Sequence, residues 1–159
     1  MRALITYYSF SGNTEKVAQV FTEVLKGRGD CDVQRLRPRP EITTFMAQCR
    51  AAFTGKRAEL EGGVKFDVRD YDLLIVGSPV WAFAPAPAIN AFLDNVSGLA
   101  GKKAIIVLTS GSGAGVNRTF SAIERALKKK GAAETLRLNI KDTEVNDKAL
   151  ITPLVERLL

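Results

Sequence analysis

Residues 2–14 read RALITYYSFSGNT, and this stretch decides the fold. Residues 2–8 are apolar and β-favouring, and they stop at a polar cluster that contains Gly12, which predicts a strand beginning at the terminus. From Thr14 the apolar positions Val17, Ala18, Phe21, Val24 and Leu25 recur at helical spacing until Gly27 and Gly29, so a helix follows directly. Residues 32–36 supply a second strand, closed by the breakers Pro38 and Pro40. A strand, a helix and a strand in such quick succession make a parallel pair with a crossover helix.

The alternation continues outward. Residues 43–54 are helix-compatible, with Phe45, Met46, Cys49, Ala52 and Phe53 on one side, whereas residues 56–69 are charged, glycine-containing and irregular. Residues 73–77 (LLIVG) and 104–109 (AIIVLT) are continuously apolar, as central strands covered on both faces must be. Helices are expected after Pro85 and Pro87 through Phe92, Leu93 and Val96, and over residues 116–130 with Phe120, Ile123, Ala126 and Leu127 inward. A fifth strand at 135–140 and a last helix at 146–159, carrying Leu150, Leu154, Val155 and Leu158, complete the chain. Five strands alternating with five helices predict an α/β fold: a three-layer, doubly wound, five-stranded parallel sheet. The 159 residues are read as one domain.

Composition narrows the chemistry. The chain has no histidine, which removes Ser-His-Asp and Cys-His nucleophile systems and most zinc sites. No metal site and no side-chain acid, base or nucleophile is expected, so any reaction belongs to a cofactor. The two cysteines, Cys31 and Cys49, are too sparse for a disulfide framework and are read as buried, inert thiols. No apolar run is long enough for a membrane span and no export leader is visible, so the chain is read as cytoplasmic. Twenty-three Lys and Arg against 17 Asp and Glu leave a net charge of +6, a field that attracts phosphate or acidic partners without choosing among them.

In a doubly wound sheet ligands bind beyond the carboxyl ends of the strands, and three loops there are unusual. After the first strand come Ser9, Phe10, Ser11, Gly12, Asn13 and Thr14. Three hydroxyls, an amide and the free N–H groups of a helix N-terminus suit a phosphate monoester. The same residue types also serve as ordinary N-caps, but a cap requires one of them and four are present. After the third strand come Pro79, Val80, Trp81, Ala82, Phe83 and Ala84. Large aromatics where loops are normally polar suggest a platform for a flat ring, with packing over the sheet edge as the alternative. After the fourth come Thr109, Ser110, Gly111, Ser112, Gly113, Ala114 and Gly115, whose glycines let main chain approach a ligand closely or simply form a flexible surface loop. The spacing is not the dinucleotide GxGxxG.

These segments together resemble the flavodoxin family. SFSGNT resembles the [ST]-x-[ST]-G-x-[ST] phosphate loop, GSPVWAFAPAP the first ring loop and TSGSGAG the second. The resemblance implies a flavodoxin-like sheet of strand order 2-1-3-4-5 and one noncovalent FMN. The phosphate would lie on Ser9, Ser11, Gly12, Asn13 and Thr14, and the ring along residues 79–84 and 109–115. It further implies electron transfer, either as a carrier serving a redox partner protein or as an NAD(P)H-dependent reductase of a small-molecule acceptor. Well-known carrier flavodoxins are acidic and place a tyrosine in the loop after the fourth strand; this chain is basic and has no aromatic at 109–115. The cationic clusters at 35–39, 56–57, 102–103 and 128–130 lack interleaved aromatics, which disfavours nucleic acid and suits a solvated surface, an acidic partner or a nicotinamide phosphate. A monomer or a homodimer is expected.

Overall fold

The computed structural model describes residues 1–41 and 43–159, and the side chain of Phe45 lies outside what it describes. Five long strands form the central sheet: β1 (Arg2–Tyr7), β2 (Asp30–Arg35), β5 (Leu73–Trp81), β7 (Lys103–Ser110) and β8 (Glu134–Lys141). Their spatial order is β2-β1-β5-β7-β8, all parallel, which is the expected order 2-1-3-4-5. One row of the register runs Val33, Ile5, Ile75, Ile105, Leu136 across the sheet. Alternation of side chains along each strand then fills two cores. Ile5, Ile75 and Ile105 face α1 (Asn13–Lys26) and α5 (Lys148–Leu158), while Leu4, Leu74, Val76 and Ile106 face α3 (Pro87–Asn95) and α4 (Val116–Lys129). The inner strands β1, β5 and β7 are buried on both faces, whereas the edge strands β2 and β8 alternate with solvent.

Several expectations change. Residues 56–69 are not wholly irregular: β4 (Glu59–Leu60) pairs antiparallel with β3 (Pro38–Arg39), and Asp67 bridges to Ser97. The third strand runs four residues beyond Gly77, so Pro79, Val80 and Trp81 are strand, not loop, and Thr109 and Ser110 likewise belong to β7. Helix α2 (Phe45–Phe53) buries only part of the side that apolar spacing selected, with Cys49 packed against the core. Met46 is 78% and Phe53 68% exposed, while Ala52 and the polar Gln48 are inside. The physical reason is that Gln48 Oε1 accepts a hydrogen bond from the buried Tyr8 hydroxyl at 3.2 Å, which satisfies both groups in the core. Leu150 also lies outward, and Ile151 takes the inward position on α5. Cys31 and Cys49 are half-buried, not buried, and burial pushes both thiols above the ordinary range, away from the reactive thiolate. No helix of the described residues is long and apolar enough to cross a membrane.

Candidate functional site

Strand β1 and strand β5 are neighbours whose connections leave toward opposite faces of the sheet, so their carboxyl ends diverge and open a crevice. The segment 9–14 fills the β1 side. Helix α1 begins after Gly12, which holds φ +87°, and no side chain caps it. The cap reading of Ser9, Ser11, Asn13 and Thr14 therefore fails, and the positive end of a fourteen-residue helix has no side-chain cap. Ser9 is 1% exposed, and its Oγ has no hydrogen-bond partner among the described residues. A buried hydroxyl without a partner costs free energy unless something that accepts or donates comes to it. Ser11 and Phe10 are exposed, and Gly12 and Asn13 are half-buried.

Thr14 behaves differently from its loop neighbours. It is buried, its Oγ1 lies 2.9 Å from Thr109 Oγ1, and this bond ties the first loop to β7. The approach is permitted by Gly77: a Cβ there would lie 2.9 Å from Tyr7 Cβ and 3.0 Å from Thr14 Cγ2. Behind the loop stands Arg35, which the sequence reading placed only in the cationic cluster at 35–39. Its guanidinium donates to the Ser9 carbonyl at 3.0 Å and pairs with Glu15 at 3.3 Å; Glu15 also accepts from the Tyr7 hydroxyl at 3.2 Å. Burial, then Glu15, pushes the Tyr7 hydroxyl up, so it stays a donor. The register Tyr7 against Arg35 is the signal that could have found this residue, once β2 is placed beside β1.

On the β5 side, Trp81 is buried with its ring edge-on to Tyr8 (5.5 Å, 81°) and to Phe10 (6.1 Å, 82°). The chain then reverses through Ala82 and Phe83 into β6 (Ala84–Pro85), which pairs with Val80 and Trp81. Both turn residues have positive φ, 45° and 65°. This is the hairpin turn that glycine and asparagine normally occupy, and each L side chain held there costs roughly 1–2 kcal/mol. Such outliers persist where the surroundings over-determine them, commonly at ligand sites. Phe83 is half-exposed, and the third loop holds it in place: a Cβ on Gly115, itself at φ +80°, would lie 2.6 Å from Phe83 Cα. Helix α4 also starts without a side-chain cap, and residues 111–114 are exposed. Ser110 is buried and donates to Asn139 at 3.0 Å, a second residue that sequence reasoning missed.

The three loops thus meet at one end of the sheet, as the sequence indicated. An uncapped helix N-terminus beside a buried serine hydroxyl that has no partner among the described residues, set across from main-chain-rich loops at the switch point of a doubly wound sheet, is an arrangement that can take a phosphate-bearing group. The donor set fits such a group: Ser9, Ser11, Asn13 and the α1 amides would hold its phosphate. The chain belongs to the flavodoxin family, whose model, described as Flavodoxin, matches residues 2–152. Among solved structures it is similar to a flavoprotein in complex with FMN from Lactobacillus acidophilus NCFM, at 23% identity and a TM-score of 0.69 over 93% of this chain and 98% of that one. Oxidised Flavodoxin 2 from Bacillus cereus matches at 20% identity and 0.66, over 99% and 97%. An NADH:FMN oxidoreductase in its apo form matches at 17% and 0.67, over 99% and 88%. Identities this low carry the fold alone.

Proposed function

We infer that the chain is an FMN-binding redox protein that transfers electrons through one noncovalently held FMN. The single observation that carries this reading is the buried Ser9 Oγ, which has no partner among the described residues, beside the uncapped start of α1. Phosphate oxygens supply the acceptors that this hydroxyl and the helix amides lack. FMN supplies reversible electron and proton uptake. The protein's own residues fix the cofactor: the Ser9, Ser11 and Asn13 side chains with the main-chain N–H groups of 12–14 at the phosphate end, Arg35 bracing the loop from behind, and the segments 79–84 and 109–115 along the ring. Purified protein saturated with FMN should show flavin absorbance that survives gel filtration, and riboflavin, which lacks the phosphate, should bind far more weakly. Equal retention of both would overturn the assignment of loop 9–14.

A second reading, that the chain reduces a small molecule with electrons from NAD(P)H, is favoured by the exposed, aromatic-free segment 111–114, which leaves room beside the ring for a reactant. Stopped-flow mixing of the FMN-loaded protein with NADPH separates the two. Fast direct bleaching of the flavin supports the reductase, and dependence on a separate reductase supports the carrier.

A further inference from the structure

A cavity of about 470 Å³ lies on the other side of β1 and β5 from α1, walled by Tyr8, Trp81, Pro38, Pro40, Pro87 and Ala88. It contains none of residues 9–14 and none of 109–115, so it shares only Trp81 with the segments assigned to the cofactor. Its volume is in the range that encloses a small organic ligand. Aromatic and proline walls present flat apolar surface, and the polar part of the interior is the Tyr8–Gln48 hydrogen bond, already made within the protein. Such a wall favours a planar ring over a flexible or strongly polar molecule.

The charged residues of the lining are Arg39, Lys56, Arg57 and Glu59, three cations to one carboxylate. Arg57 is committed: it holds Asp94 at 2.6 and 3.3 Å. Arg39 meets Glu61 only at 3.4 Å with its side chain 72% exposed, so it is loosely held. Lys56 makes no ion pair among the described residues. Helix α3 starts at this wall with Pro87 and Ala88, and no side chain caps it, so the positive end of a third helix adds to the same field.

We propose that this cavity is a second ligand site, separate from the cofactor loops, that takes a planar one- or two-ring aromatic molecule bearing a carboxylate, with the ring against Tyr8 and Trp81 and the carboxylate toward Lys56 and Arg39. The site goes beyond the redox reading and stands without it. The test is calorimetric titration of the FMN-saturated protein with naphthalene-2-carboxylate and with its neutral analogue, 2-naphthalenemethanol. The carboxylate should bind about five- to tenfold more tightly at low salt, the worth of one solvent-exposed charge contact of about 1 kcal/mol. Lys56→Glu, a change at an exposed side chain, should erase that preference, and Ala58→Trp, which fills the cavity from its wall, should abolish binding of both probes while FMN uptake is retained. Equal affinity for the two probes, no heat from either, or binding to the FMN-free protein that FMN displaces would each overturn the proposal, the last by making the cavity the ring's own seat. Binding of the carboxylate to a chain that takes up no FMN would defeat the redox reading and leave this site standing.

Discussion

Ser9→Ala should make the FMN-free protein more stable and the cofactor weaker. The Ser9 hydroxyl is 1% exposed and has no partner among the described residues, so in the free protein it carries an uncompensated desolvation cost. Removing such a group recovers roughly 1–3 kcal/mol. Alanine keeps the Cβ, leaving the Ser9 carbonyl free to accept from Arg35 as before. Urea unfolding of the FMN-free variant should therefore show a gain of about 1 kcal/mol, or about 2–4 °C in melting temperature for a chain of this size. The same change removes a hydrogen bond to a charged acceptor, worth about 1.5–3 kcal/mol, so FMN affinity should fall roughly 10- to 150-fold. Quenching of flavin fluorescence measures it, and riboflavin affinity should stay unchanged because it has no phosphate. A loss of stability in the FMN-free variant, or a parallel loss for FMN and riboflavin, would refute the assignment of this hydroxyl to the phosphate.

Gly115→Ala should destabilise the fold by about 2–4 kcal/mol in urea, because φ +80° penalises an L residue and the new Cβ would meet Phe83 Cα at 2.6 Å; a loss below about 1 kcal/mol would show that the hairpin can retreat freely. Acid stability should depend on Asp32 and Glu124. The Tyr71 hydroxyl, then Lys65, lowers Asp32 to about 2, and Thr135, then Arg137, lowers Glu124 to about 2. Both folded values lie below the unfolded ones, so their contribution is present above pH ~4 and is lost as pH falls toward ~2. Asp32→Asn with Glu124→Gln should flatten the unfolding free energy in that window, and an acid slope equal to the parent's would count against it. Net charge +6 should ease the second electron into bound FMN, placing that potential less negative than in an acidic flavodoxin by on the order of tens of millivolts; spectroelectrochemical titration giving an equally low value would refute the charge argument.

What was readable in advance was whatever is contiguous in the chain. Strands β5 and β7 declare themselves because a strand covered on both faces must be apolar at every position, and α1 because one apolar face recurs at helical spacing. The loop 9–14 was legible for the same reason: its donors are consecutive and lie just before a helix. Local pattern misled at α2, where Met46 and Phe53 read as inward but a polar residue, Gln48, had a buried partner forty positions away at Tyr8. It was also silent at Ala82 and Phe83, since neither residue type favours a tight turn.

By itself, then, the sequence determined the order of strands and helices, the run of polar donors just before the first helix, and the exclusion of histidine chemistry. Only the tertiary structure decided which donors are free. It bound Thr14 to Thr109 and Ser110 to Asn139, left Ser9 Oγ without a partner among the described residues, brought Arg35 behind the loop by the β1–β2 register, and pinned the strained hairpin against Gly115. The physical reason is that a hydrogen bond or a close contact depends on the distance between atoms, and here those distances are set by strand pairing across the sheet, which residue spacing along the chain does not encode.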